Sequence, residues 1–384
     1  MNPRGGGRRH WGRAAGAALL CAAVGLSGCD SRQQELTRKV DALMQAYQGE
    51  VPGASVLVLR DGAPVIRRAY GLADLAPRTP ATPATNYRLA SMTKEFTAAA
   101  VLLLAQEGRL SLDDVLTRWL PHLPPVADNI TIRELLNHTS GVIDYEELMA
   151  KDTQVPLHDS DVLHLLEAQN RTYFPPGSAY RYSDSGYALL ALIVARVSGG
   201  DFASFLRQRI FLPLQMRNSV AYEAGISSVA DRAFGYSLED GAWVRTDQSL
   251  TSAVLGDGGI YSSIADLARW DAALYGSQLL KPEWRRLAFA PQVATDDPNV
   301  SYGFGWRVTG ETVWHSGETL GFRNVIVRWP QRHFTVVILT NRNDPAPYTL
   351  ALSIATLFYP DAARVRASEV VVGPDSGARP LPKS

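Results

Sequence analysis

Apolar and polar positions change period several times along this chain, and each change marks an element. Between Ser31 and about Gln48, the residues Leu36, Val40, Leu43, Met44 and Tyr47 recur three and four apart, the spacing of one helix face. This predicts a helix packed on the body of the protein and ending at Gly49. Ala54 to Arg60 and Pro64 to Tyr70 are β-branched and apolar runs joined by Asp61-Gly62, a pair that tolerates the positive φ of a tight hairpin turn. The apolar run Phe96 to Gln106 reads as a long helix.

From about Ser111 to Ala290, helical patterns alternate with loops bearing Pro and Gly, and Thr131-Ile132-Arg133-Glu134 spells a capping box. Helices are expected over Asp159 to Ala168, Ser185 to Val197, Asp201 to Ile210 and Ile264 to Tyr275. Strand patterning returns over Tyr302 to Val308, Thr312 to His315, Arg323 to Trp329 and Thr335 to Thr340, before a last helix over about Pro347 to Phe358. Strands at both ends around a helical middle predict an α/β (α+β) fold. One mixed, mainly antiparallel sheet would be formed by both chain ends (about 35–110 and 291–360) and flanked by helices, with an inserted, mostly helical domain (about 111–290). A cleft is expected between the two parts. Residues 361–384 are charged, bear Gly and Pro and lose periodicity, so a disordered tail is expected.

The first residues are a different material. Arg4, Arg8, Arg9 and Arg13 precede an apolar run from Ala14 to Leu26, too short to span a bilayer, which is the pattern of a secretory signal over residues 1–28. Its end, Leu26-Ser27-Gly28-Cys29, resembles the lipobox of bacterial lipoproteins, implying lipidation at Cys29 and an extracytoplasmic protein anchored on the periplasmic side of a bacterial membrane. Asp30 resembles the residue that retains such proteins in the inner membrane. Cys21 would leave with the signal, so no disulfide, thiolate metal site or cysteine nucleophile is available.

Composition narrows the function. With 46% hydrophobic and 20% charged residues over 384 positions the chain is of ordinary globular type. Its 38 basic residues balance 38 acidic ones, which excludes an electrostatic footprint for nucleic acid. The seven histidines are scattered, with no His-Glu-x-x-His, so no metal is expected. Neither a Gly-x-Ser-x-Gly elbow, a dinucleotide loop nor a P-loop is present, and no cofactor is expected.

The candidate chemistry starts at Ser91-Met92-Thr93-Lys94, where an extended stretch meets the long helix. Residues three apart share a helix face, so the Lys94 amine would sit beside the Ser91 hydroxyl, and a serine must be activated by such a neighbour. Alone the pattern is weak, since a chain this long contains roughly one Ser-x-x-Lys by chance. Two further stretches support it: Tyr180-Arg181-Tyr182-Ser183-Asp184-Ser185-Gly186-Tyr187, before a predicted helix, and Trp314-His315-Ser316-Gly317-Glu318-Thr319, at the end of a predicted strand.

In this order the three closely resemble the signature of the β-lactamase-related serine hydrolases, the group of class C β-lactamases, D-alanyl-D-alanine carboxypeptidases, D-amino-acid peptidases and some esterases. Leu135 to Gly141, Gly256 to Ser262 and Tyr302-Gly303-Phe304-Gly305-Trp306 look like the same family, and the resemblance runs from about Leu36 to Phe358. It implies Ser91 as nucleophile, Lys94 as its base partner and Tyr182 as the proton relay to the leaving group. His315, Ser316, Gly317, Glu318 and Asp184 would line the substrate and oxyanion site, with the N–H groups of Ser91 and Glu318 as the oxyanion donors.

Asp184 stands where many members carry asparagine, and His315 where β-lactamases carry lysine. A histidine is largely neutral at pH 7, which leaves Lys94 as the one fixed cation expected at the site. Lys94 is therefore expected to accept the Ser91 proton, while a charged Asp184 close to it would oppose this by holding the ammonium. A D-amino-acid or muropeptide peptidase, an esterase and a β-lactamase stay open as readings of the substrate, which is a small molecule or peptide. A non-catalytic lipoprotein binding cell-wall fragments is the alternative of another class.

Overall fold

The computed structural model describes residues 31–362 and 379–380. The expected signal, Cys29 and Asp30 lie outside the described residues, as does most of the expected tail. Within that tail, Arg379–Pro380 is a short strand antiparallel to Ala179–Tyr180. The chain divides into two compact units between Leu43 and Met44. The described part of the first is a helix over residues 31–43, stapled on its surface by Lys39 and Glu35 at 2.8 Å.

In the second unit an eight-stranded antiparallel sheet draws on both halves of the sequence. Ala54–Arg60 pairs on one side with Ala63–Tyr70 and on the other with Phe334–Thr340, so the first strand lies beside the last of the sheet. Both central strands are buried on both faces apart from the exposed end at Arg60, and Phe334–Thr340, β-branched from Thr335 to Ile338 and at Thr340, has no exposed residue. Asp61 and Gly62 carry φ of 54° and 76°, the positive values that a two-residue hairpin turn requires. The sheet continues through Phe322–Trp329, Thr312–Thr319, Arg307–Thr309, Ser301–Tyr302 and Val293–Ala294. Helices Ile264–Ala273 and Tyr348–Thr356 pack on its central strands.

Two strand expectations shift. Thr312 to His315 extends to Thr319, so the whole His-Ser-Gly-Glu stretch lies inside a strand paired with Phe322–Trp329. Tyr302 to Val308 breaks into two strands, because Gly303-Phe304-Gly305-Trp306 turns between them. Gly305 has φ of 75°, and a Cβ there would lie 2.6 Å from the Lys94 carbonyl oxygen, so only glycine lets this turn reach the long helix.

That helix, Thr93–Gln106, is buried from Thr93 through Ala105 and packs on Asp184–Ser198 and on the short helix Leu255–Gly258. The middle segment is built of short helices, with Thr131 and Glu134 closing the expected capping box, and small two- and three-stranded sheets. The expected helix over Asp201 to Ile210 is α-helical only at Phe202–Leu206 and continues as a π-helical turn over Arg207–Phe211.

Candidate active site

Strand Tyr87–Arg88, hydrogen-bonded to Ile260–Ser262, delivers the chain to Ser91. Ala90 then takes φ of 50°, a left-handed conformation that a non-glycine residue adopts only at some cost, of order 1–3 kcal/mol. This turns the backbone into the short 3-10 segment Ala90–Met92 and on into Thr93–Gln106. Ser91 and Lys94 thereby fall on one face, and Lys94 Nζ donates to Ser91 Oγ at 3.1 Å.

Lys94 is fully buried and uses its three protons on three acceptors. Besides Ser91 Oγ these are Asp184 Oδ1 at 2.5 Å and the Asp257 backbone oxygen at 3.0 Å. Burial by itself would drive the proton off. Asp184, Tyr182 and Asp257 together outweigh it and hold the amine above the ordinary lysine range. The opposition expected from Asp184 is therefore present, and Lys94 rests as an ammonium.

Tyr182 places its ring centroid 5.0 Å from Lys94 Nζ, and its hydroxyl interacts with both Lys94 and Ser91. Burial raises its ionisation above the usual tyrosine value, with Lys94 opposing, so the resting group is the neutral phenol. The ring also meets His138 at 4.3 Å between centroids. His138 is buried at φ of 62° and accepts from the Ser183 N–H at 3.2 Å, tying the aromatic box to the Tyr182 segment. Burial, then Lys94 and Arg307, hold its pKa well below the ordinary histidine value.

The remaining expected residues do different things. Gly317 lies against the segment that leads into Ser91 so closely that a Cβ would sit 1.9 Å from the Leu89 carbonyl oxygen. Glu318 lines the cleft and pairs with Arg323 at 2.5 Å. Ser316 is half-buried, and its carbonyl accepts from His315 Nδ1 at 2.6 Å. Since a carbonyl only accepts, His315 Nε2 is left bare and accepts from the Tyr302 hydroxyl at 2.9 Å. The ring is 1% exposed, and burial, then Arg307, hold it neutral. His315 therefore presents no donor to the cleft, a departure from the substrate contact expected of it, because Tyr302 and its own neighbour occupy both nitrogens.

A second cation, Arg307, also stands beside Tyr182, so Lys94 is not alone. Its guanidinium lies 5.6 Å from the Tyr182 ring, 5.9 Å from Tyr302 and 5.5 Å from Trp314. Arg307 is 8% exposed, its Nε is buried without a partner, and no carboxylate among the described residues pairs with it. An open cleft of about 340 Å³ is lined by Ser91 together with, among others, Arg88, Tyr145, Glu146, Asp184, Asp257 and Glu318.

His138, Asp257 and Tyr302 fall inside stretches that the sequence marks without assigning them a role. Arg307 directly follows one of these stretches, and Glu146 follows no sequence signal.

Comparison with known proteins bears on the family and the fold. The family model described as Beta-lactamase matches residues 36–358. Penicillin-binding protein 4* of Bacillus subtilis (strain 168) is 30% identical over 78% of this chain and 70% of its own length. Protein flp of Staphylococcus aureus (strain MW2) is 28% identical over 82% of the chain, which spans only 64% of that protein. The octameric penicillin-binding protein homologue from Pyrococcus abyssi superposes with a TM-score of 0.76 at 26% identity, covering 85% of this chain and 77% of that one.

Proposed function

This chain belongs to the β-lactamase family, and from that premise we propose that it is a serine hydrolase working through an acyl-enzyme on Ser91. The observation that carries the reading is the buried array in which Lys94 bonds Ser91 Oγ and Asp184 at once. Ser91 Oγ attacks the acyl carbon of an ester or amide. Its proton passes to Lys94 as Lys94 hands its own to Asp184, the base that the ammonium needs to become an acceptor. Tyr182, neutral and facing both groups, donates to the departing oxygen or nitrogen and regains a proton from Asp184 by way of Lys94.

For the substrate we propose a peptide with a free terminal carboxylate, of the D-amino-acid or muropeptide type. Arg307 supports it: a largely buried guanidinium without a counter-ion beside Tyr182 is suited to a carboxylate on the leaving group, and an uncharged ester has no use for it. A β-lactam also carries a carboxylate, and the names of the penicillin-binding relatives support it as an acylating probe. Lipidation of Cys29 and an extracytoplasmic, membrane-anchored location fit such a substrate and belong to the same proposal.

The test is labelling by a fluorescent penicillin and by a fluorophosphonate, with Ser91→Ala as control. Label on the wild type that is lost in Ser91→Ala supports the acyl-enzyme, and no label from either probe sinks it. For the substrate, Arg307→Gln is expected to raise KM for a D-alanyl peptide about tenfold or more while leaving an uncharged p-nitrophenyl ester within about twofold. Equal effects on both would overturn the carboxylate reading.

A further inference from the structure

We propose that Glu146 is a further catalytic residue, the general base that directs water onto the acyl-enzyme at Ser91, a role that rests on the acyl-enzyme reading above. Once Ser91 is acylated, the site must bring a water to the ester carbon and take one of its protons. The base for that step has to face the cleft, be held in place and be free of other bonds.

Most charged groups lining the cleft are already engaged. Asp184 is taken by Lys94, and one oxygen of Asp257 accepts from the Tyr145 hydroxyl at 3.0 Å. Glu318 pairs with Arg323, and Arg88 is spent on Gln248 and on the Ser252 carbonyl. Glu146 lines the same cleft as Ser91, and its carboxylate has no hydrogen-bond or ion-pair partner among the described residues.

Its backbone is nevertheless anchored. The Glu146 N–H donates to Asp144 Oδ1 at 3.0 Å, and Asp144 Oδ2 in turn accepts from the Asp184 N–H at 2.7 Å. The preceding residue is tied to the cleft wall through the Tyr145–Asp257 bond. With Asp144 and Tyr145, the two residues before it, both fixed to the wall beside Ser91, the exposed Glu146 stands at the open cleft.

The electrostatics fit a base working near neutrality. Partial desolvation of the carboxyl at the cleft wall, then repulsion by Asp184 and Asp144, push Glu146 up to about 7, with Lys94 opposing. In the step itself Glu146 takes a proton from water as the water oxygen bonds to the acyl carbon. The bond from that carbon to Ser91 Oγ then breaks, and Oγ takes a proton from Lys94, its hydrogen-bond donor. The proton on Glu146 returns to Lys94 through the cleft, the acyl group leaves as a carboxylic acid, and Ser91 is restored as a hydroxyl.

The test follows acylation and deacylation separately, with fluorescent penicillin and an activated ester, in wild type and Glu146→Gln. The expected result is an acyl-enzyme lifetime lengthened on the order of 100-fold, with the acylation rate within about threefold of wild type. Wild-type deacylation should rise as pH rises through about 7 and lose that inflection in Glu146→Gln, with Asp144, Asp184, Asp257, Tyr145, Glu318, Lys94 and Arg88 all still present. An unchanged lifetime overturns the role. Slowed acylation or raised KM with unchanged deacylation also overturns it and makes Glu146 a substrate-binding group. If the wild type forms no acyl-enzyme on Ser91, the acyl-enzyme reading fails and this role with it. An unchanged unfolding midpoint in Glu146→Gln is the accompanying control.

Discussion

Asp184 Oδ1 lies 2.5 Å from the Lys94 ammonium, itself 3.1 Å from the Ser91 hydroxyl, so the side chain placed to take a proton from Lys94 also holds it charged. At rest the amine has no lone pair to offer Ser91. In the proposed mechanism acylation proceeds only as that proton moves to Asp184.

Acylation is accordingly expected to rise with pH from neutrality upward, since both candidate acceptors, Lys94 and Tyr182, are held above their ordinary values of 10.5 and 10.0. Asp184→Asn removes both the base that takes the Lys94 proton and the largest of the attractions that keep Lys94 protonated, so acylation at neutral pH should fall while the rise of what remains moves to lower pH by about one unit or more. Stopped-flow acylation by an activated ester from about pH 6 to about pH 10 reads this directly. A profile unmoved in Asp184→Asn would mean that the relay does not run through Lys94.

Gly317→Ala is expected to fail structurally. A methyl group 1.9 Å from the Leu89 carbonyl oxygen cannot be accommodated by a side-chain shift, because the obstacle is backbone. The strand must retreat from the segment that carries Ser91, at about 2 kcal/mol or more. Denaturant unfolding measures the loss. Gly200→Ala, where a Cβ meets nothing within 4 Å, is the control and should stay within about 0.5 kcal/mol.

His138 and His315 are both buried with pKa values well below the ordinary 6.5, and burial is the leading cause in each. Each depressed value means that the unfolded chain binds a proton the folded one refuses. The stabilisation is therefore fully present above about pH 6.5 and is lost as pH falls below it, by up to about 1.4 kcal/mol per unit for each group. His138→Asn, which tolerates the left-handed backbone, should narrow its stability difference from wild type as pH falls from about 7 to about 5. The raised carboxyls Asp144 and Asp159 remain in both proteins, so their opposite contribution largely cancels in the difference. A constant difference would mean that His138 is not held neutral.

Much of the architecture was legible because periodicity reports burial. The strands Ala54–Arg60 and Phe334–Thr340 are apolar on both faces because both faces are covered, and Asp61-Gly62 occupies the turn that it predicts. The pattern misjudged Tyr302 to Val308, where Gly303 and Gly305 break the strand to let the turn approach Lys94. Alternation along a strand does not register that kind of close approach.

The sequence by itself determined that Ser91 and Lys94 meet, since three residues along a helix fix their separation whatever surrounds them. It also marked Tyr182, Asp184 and Gly317 through motifs whose chemistry is local. Only the tertiary structure decided the charges. Asp184 comes from a different helix, 90 residues away, to hold Lys94 protonated, and Tyr302 turns His315 into a neutral core residue. Arg307 without a counter-ion and Glu146 facing the cleft are likewise products of folding. Protonation depends on burial and on the charges within a few ångströms, and those neighbours are chosen by packing between segments that the linear order keeps far apart.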